Sequence, residues 1–255
     1  MYKILSDRSA EKLADKVNLL KKHVDRWSEL GGLAIHGDGK EIKFYQAMVR
    51  KETTPLMEDL QSRVCADHAK VMIGAGADVN ACDKQKITPL MFAGAFSTEE
   101  IVNLLISKKA DVNAKDEEDN TPLAWAVMHS NRLENINALI NAGADVNAVC
   151  SGNYTILMLA LINNDNVGII KCIIDKGADV NAKCDSYNVK GVTPLMLALK
   201  HDHSYATIKR LLDAGADVNA EDSHGKNSWN YAKDTCASDK IIELLKEYGA
   251  IQKEN

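Results

Sequence analysis

One six-residue string governs what this chain can fold into, because it keeps returning. Gly-Ala-Asp-Val-Asn-Ala, or a near copy, stands at Gly76–Ala81, Lys109–Ala114, Gly143–Ala148, Gly177–Ala182 and Gly215–Ala220. Its aspartates, 78, 111, 145, 179 and 217, are spaced by 33, 34, 34 and 38 residues, and a truncated copy follows at Gly249-Ala250-Ile251. Self-similarity at this period is the mark of a solenoid, in which each unit is too small to bury its own apolar face and must stack on neighbours.

A second string keeps step with the first. All four prolines lie in Thr-Pro-Leu, at Thr54-Pro55-Leu56, Thr88-Pro89-Leu90, Thr121-Pro122-Leu123 and Thr193-Pro194-Leu195; Thr155-Ile156-Leu157 holds the same phase without proline. Thr is a good helix N-cap, and proline suits the next position, where its missing N–H would have had no intrahelical partner. The glycine before Ala-Asp falls where a second helix ends, a place that favours left-handed backbone. Lys109 breaks that pattern and is expected to carry strain there. Thr193 lies 14 residues after Asp179 where the other units show 10, so an insertion near Cys184–Lys190 lengthens one loop.

Two short helices fit between the strings. The first contains Leu90–Ala93, Leu123–Ala126, Leu157–Ala160 and Leu195–Ala198. The second shows helical apolar spacing at Ile101, Leu104 and Leu105 and again at Ile136, Leu139 and Ile140. It continues at Ile169, Ile170 and Ile173, at Ile208, Leu211 and Leu212, and at Ile241, Leu244 and Leu245. With these strings in this order, the chain resembles the ankyrin-repeat family over residues 83–250 and, more loosely, over 54–82. The resemblance implies an all-α solenoid of helix pairs with projecting β-turn fingers and a concave face lined by fingers and inner helices. The chain departs from the family where histidine usually follows Thr-Pro-Leu: Met57, Met91, Ala124, Met158 and Met196 stand there. The hydrogen bonds of that histidine are expected to be replaced by apolar packing.

The expected organisation is a divergent first repeat at 54–82, with one long helix over Thr54–Gly74 as the alternative. Four repeats follow at 83–115, 116–149, 150–183 and 184–221, within 83–224, and a capping repeat at 222–255 whose second helix carries Lys240, Glu243, Lys246 and Glu247. Residues 1–53 lack the motif. Leu13, Val17, Leu20, Val24 and Trp27 form one helical stripe, with Ser9 as N-cap and Gly31-Gly32 as stop, which reads as an N-terminal helical cap on the stack or, as the alternative, an extension serving as a coiled-coil or partner-binding helix.

The remaining features exclude more than they suggest. The formal charge is −5, no run of Lys or Arg marks a nucleic-acid or membrane surface, and no stretch reaches the ~20 apolar residues of a membrane span. The N-terminus turns charged before a signal-peptide core can form, so a cytoplasmic protein is expected, or one delivered to a host cytosol by a route the sequence does not reveal. Six scattered cysteines form no C-x-x-C pair, and Cys65/His68 and His201/His203 make no complete site, so reduced thiols, surface imidazoles and neither metal nor cofactor are expected. No phosphate loop or nucleophile elbow is present.

The resemblance places partner contacts on finger tips and on the exposed face of the first helices. By phase these are Lys84, Ile87, Phe96, Glu117, Glu118, Met128, His129, Tyr154, Ile162, Asn163, Lys200 and His201. Ile87, Phe96, Met128, Tyr154 and Ile162 are apolar where solvent favours polar residues, which suggests a contact patch. Asp116-Glu117-Glu118-Asp119 reads as a solvated acidic tip without the ligand spacing of a calcium loop. The expected function is a monomeric scaffold that binds a partner protein. The alternative is a delivered effector in which residues 1–53 add an activity, with His36 the residue to test. The strings ending at Asn113, Asn147 and Asn219 also resemble ankyrin asparagines that some animal cells hydroxylate.

Overall fold

The computed structural model describes residues 54–61, 66–164, 166–186 and 189–252. The stripe at residues 10–30 and the cap reading of 1–53 lie outside them. Twelve α-helices follow in pairs among the described residues: α1 (Pro55–Gln61) and α2 (Ala66–Gly74), α3 (Pro89–Phe96) and α4 (Glu99–Ser107), α5 (Pro122–His129) and α6 (Leu133–Asn141). The series continues with α7 (Ile156–Asn163) and α8 (Val167–Asp175), α9 (Pro194–Lys200) and α10 (Tyr205–Asp213), and α11 (Ser228–Asp234) and α12 (Asp239–Glu247). Odd-numbered helices pack on one another as an inner row and even-numbered helices as an outer row. Thr54–Gly74 is not one long helix: α1 and α2 pack against each other as the other pairs do.

The capping logic of the sequence is realised. Thr88, Thr121, Thr155 and Thr193 each accept a hydrogen bond at Oγ1 from the N–H three residues on, at 3.3–3.4 Å. The expectation about methionine needs correcting. Met91 Sδ accepts the Thr88 N–H at 3.4 Å, and Met196 Sδ accepts the Thr193 N–H at 3.5 Å. A polarisable thioether is a weak acceptor, so it fills the core and still closes a reciprocal capping box. In the last pair Asn230 Oδ1 does this for the Asn227 N–H at 3.1 Å.

A ladder of asparagines joins the units. Asn80, Asn113, Asn147, Asn181 and Asn219 each donate from Nδ2 to the carbonyl at the end of the next outer helix, that of Lys109, Gly143, Gly177, Gly215 and Gly249. Each also accepts at Oδ1 the N–H two residues beyond that carbonyl, at 2.7–2.9 Å. The repeated Asp-Val-Asn therefore serves as a cross-repeat clamp: the aspartate shapes the turn by accepting its asparagine's N–H, and the asparagine reaches the neighbour.

The core is aliphatic and continuous along the stack, and the leading apolar positions of the outer helices (Ile101, Ile136, Ile169, Ile208, Ile241) are all buried. One seam is tighter than a side chain would allow. A Cβ on Gly94 would come within 3.2 Å of the Pro122 carbonyl oxygen, so glycine permits α3 and α5 to approach. Buried Asn135 bridges that seam, donating from Nδ2 to the carbonyls of Gly94 and Ser97 at 3.0 and 2.9 Å. The insertion predicted near Cys184–Lys190 forms a hairpin of β1 (Cys184–Ser186) and β2 (Val189–Val192), antiparallel, with Gly191 bulged at φ +79°.

Candidate functional site

Each finger is rooted five residues after the aspartate of the repeated string, at Asp83, Asp116, Cys150, Cys184 and Asp222. Where the root is aspartate, its carboxylate builds the turn. Asp83 Oδ1 accepts the N–H groups of Gln85 and Ile87, both at 2.9 Å. Asp116 Oδ1 accepts those of Glu118 and Asn120 at 2.9 and 2.8 Å, while its Oδ2 accepts Trp125 Nε1–H at 2.9 Å. Asp222 repeats the pattern with His224, Lys226 and the Tyr231 hydroxyl, the last at 2.8 Å. Burial and this carboxylate push the Tyr231 phenol well above its ordinary pKa. The reading of 116–119 as a solvated tip therefore fails for Asp116, which is buried because it carries the turn; Glu117, Glu118 and Asp119 are exposed.

Adjacent fingers join where their tips meet. The Glu117 N–H donates to the Gln85 carbonyl at 2.9 Å, and the Ser223 N–H donates to the Lys190 carbonyl at 2.8 Å. Of the residues assigned to contact by phase, Lys84, Glu117 and Glu118 are exposed on finger tips, and His129, Asn163 and Lys200 are exposed at inner-helix ends. Phe96, Met128, Tyr154, Ile162 and His201 are half-buried. Ile87 departs from expectation: it is only 9 % exposed, because its N–H is drawn back to Asp83 and its side chain enters the core.

Phe96 and His129 end a run of rings that begins inside the core. Phe92 lies 5.7 Å from Trp125, Trp125 lies 5.2 Å from His129, and His129 lies 5.9 Å from Phe96, centroid to centroid. These spacings suit aromatic contact. The enclosed part of the His129 ring is desolvated, which lowers its pKa, so the imidazole is neutral near pH 7 although one edge meets solvent.

Several exposed apolar side chains were not anticipated. Val167 and Tyr205 open outer helices α8 and α10, and Val149 precedes the third finger. For Val167 and Tyr205 the signal is positional: the equivalent residues Glu99 and Asp239 are acidic, although Leu133 at the same place is not. Tyr205 borders a shallow groove lined by Lys240, Glu243, Leu244 and Glu247.

His203 is not the surface imidazole expected: it is buried, with Nε2 2.6 Å from the Leu161 carbonyl oxygen. Cys82, Cys150, Cys172, Cys184 and Cys236 are free, and burial pushes the Cys150 and Cys184 thiols up to about 11, which keeps both protonated at neutral pH. Among the described residues no three potential metal ligands converge, and no helix is long and apolar enough to cross a membrane.

No curated protein matches the chain. The family model for ankyrin repeats (3 copies) matches residues 56–150, 133–222 and 157–255. With that match laid over paired helices, threonine caps, an asparagine ladder and projecting fingers, the chain belongs to the ankyrin-repeat family.

Proposed function

We propose that this chain is a monomeric scaffold that holds another protein on its concave face and performs no chemistry of its own. Ankyrin repeats are generally protein–protein interaction modules. The observation that carries the reading to this chain is a row of half-buried apolar side chains, Phe96, Met128 and Ile162, at the ends of three successive inner helices. Such side chains gain from being covered, and a partially solvated aromatic beside polar neighbours is the usual energetic centre of an interface. Tyr154 adds a half-buried ring from a finger, and Lys84, Glu117, Glu118, Asn163, Lys200 and His201 supply the polar rim. The asparagine ladder supports the same reading, because a stiff surface is ordered before the partner arrives and less entropy is lost on binding. Free thiols fit a reducing compartment such as the cytosol.

Affinity capture from matched lysates tests the proposal, with Phe96→Ala/Tyr154→Ala/Ile162→Ala as the comparison at equal helicity. A protein retained by the wild type and lost by the triple variant is expected. Equal retention by both would remove the concave face from the interaction.

A further inference from the structure

Formal charge is distributed unevenly along the stack. Residues 116–149 hold Asp116, Glu117, Glu118, Asp119, Glu134 and Asp145 against a single cation, Arg132, a net of −5 that equals the charge of the whole chain. Arg132 is engaged, its Nη1 donating to the Ser97 carbonyl at 2.6 Å. Asp119 is paired with Lys115 at 3.2 Å, whereas Glu117 and Glu118 are exposed and stand in no ion pair among the described residues. The same unit supplies Trp125 and His129 to the ring cluster and the half-buried Met128 beside it. The surface rings of this cluster, His129 here and Phe96 from the preceding repeat, thus lie beside a repeat of net negative charge.

We infer that this part of the concave face receives a basic segment of the partner, one in which an arginine or lysine stands within a few residues of an apolar side chain. The inference rests on the proposed use of the concave face for binding. An aromatic face attracts a guanidinium or ammonium group, most strongly when water is partly excluded, and Phe96 and His129 offer such a face at the surface. Neutral His129 adds no repulsion to an incoming cation. The carboxylates of Glu117 and Glu118 steer the same charge during encounter and repel an acidic competitor.

Two features limit the segment. The inner helix α5 has eight residues, about 12 Å from finger base to ledge, which an extended stretch of about four residues spans. The neighbouring finger carries Lys84 and Lys86, which disfavour a long basic run extending that way. A short mixed segment, basic at one end and apolar at the other, fits both.

Selection of a displayed random dodecapeptide library against the full chain at low ionic strength tests the inference. Enriched peptides are expected to pair Arg or Lys with an aliphatic or aromatic residue. Their synthetic versions are expected to bind about tenfold or more weakly to Phe96→Ala. With Glu117→Gln/Glu118→Gln the loss is expected to be about three- to tenfold and to appear mainly in the association rate. The glutamine variant changes only exposed side chains, so it keeps the test valid should Phe96→Ala perturb folding. Enriched peptides that lack basic residues but lose binding with Phe96→Ala would overturn the basic segment and leave the concave-face function standing. No enrichment, or binding indifferent to both variants, would overturn the inference outright.

Discussion

The fingers rooted on aspartate and those rooted on cysteine solve one problem differently. Asp83, Asp116 and Asp222 gather the N–H groups of their own turns, and each of those turns needs one left-handed residue, Lys86, Asp119 or Gly225. A thiol cannot gather two N–H groups in this way. The Cys150 finger keeps only the backbone bond that the aspartate fingers also make, from the root N–H to the carbonyl four residues on (Cys150 to Tyr154, 2.9 Å), and turns through two left-handed residues, Gly152 and Asn153, instead of one. The Cys184 finger becomes a β-hairpin with a glycine bulge. The difference reaches the inner helix: opposite the aspartate roots stand Phe92, Trp125 and Tyr231, and opposite the cysteine roots stand Leu159 and Leu197. Where the aromatic has a donor it uses the carboxylate, and where the root is apolar its neighbour is aliphatic. Root and inner-helix residue behave as a unit, polar or apolar together.

The largest effect comes from mixing the two kinds. Asp116→Cys leaves the N–H groups of Glu118 and Asn120 and the Trp125 indole without their acceptor, and unmet buried donors cost about 1–3 kcal/mol each. Because the finger tip can rehydrate, about 3 kcal/mol in all is expected in urea unfolding. Trp125→Leu alone loses ring packing and leaves Asp116 Oδ2 with only the Asn120 Nδ2 donor at 3.2 Å. The double variant Asp116→Cys/Trp125→Leu copies the pairing of the third finger and is expected to be at least about 1 kcal/mol more stable than the sum of the singles predicts. Strict additivity would break the claim that root and neighbour act together.

Much of this was legible in the sequence, and the misses have physical causes. The period, the threonine caps, the left-handed helix ends and the inserted finger all followed from residue types with narrow conformational preferences. The methionine acceptors did not, because Met reads as an apolar residue and its sulfur lone pair matters only once the helix start has formed. The charge of Asp116 hides its geometry: three consecutive acidic neighbours conceal a root that Asp83 and Asp222 display more plainly. Ile87 is buried although its phase is that of a finger, because phase gives a position and not the direction of a side chain. The pairing of roots with inner-helix residues was present in the sequence at a fixed separation of nine, broken only by the insertion.

A third kind of carboxylate, half-buried, sharpens the comparison by lacking a finger around it. Asp59 on α1 faces His68 Nδ1 on α2 at 2.7 Å, and burial raises its pKa from 3.8 to about 6 against the opposing pull of His68. An acid whose pKa is higher when folded holds its proton longer than the unfolded chain does. Its contribution to stability is therefore fully present below about pH 4 and is lost as pH rises through about 6. The expected loss is on the order of 1–3 kcal/mol, carried by the first helix pair. Urea midpoints at pH 4.5 and pH 7.5 should differ less for Asp59→Asn than for wild type; an equal difference in both would show that burial of Asp59 does not govern this step.

The smallest effect sets five glycines against one lysine. Gly76, Gly143, Gly177, Gly215 and Gly249 end their outer helices with φ between +82° and +96°, and a Cβ at any of them would meet nothing within 4 Å. Lys109 holds the same place with φ +70°. Its side chain therefore has room, and its cost is confined to left-handed backbone, about 1 kcal/mol for a residue bearing a Cβ. Its carbonyl still accepts Asn80 Nδ2 at 3.1 Å, a bond that glycine would keep. Against the relieved strain stands the greater freedom that glycine gives the unfolded chain, a few tenths of a kcal/mol up to about 1. Relief is expected to exceed that freedom because the ladder fixes the backbone in a region that lysine rarely visits. Lys109→Gly should raise the melting temperature by about 1–3 °C. A lower value would mean that the aliphatic stem of Lys109 contributes packing the other units do without, and the equivalence of the six helix ends would fail at this one.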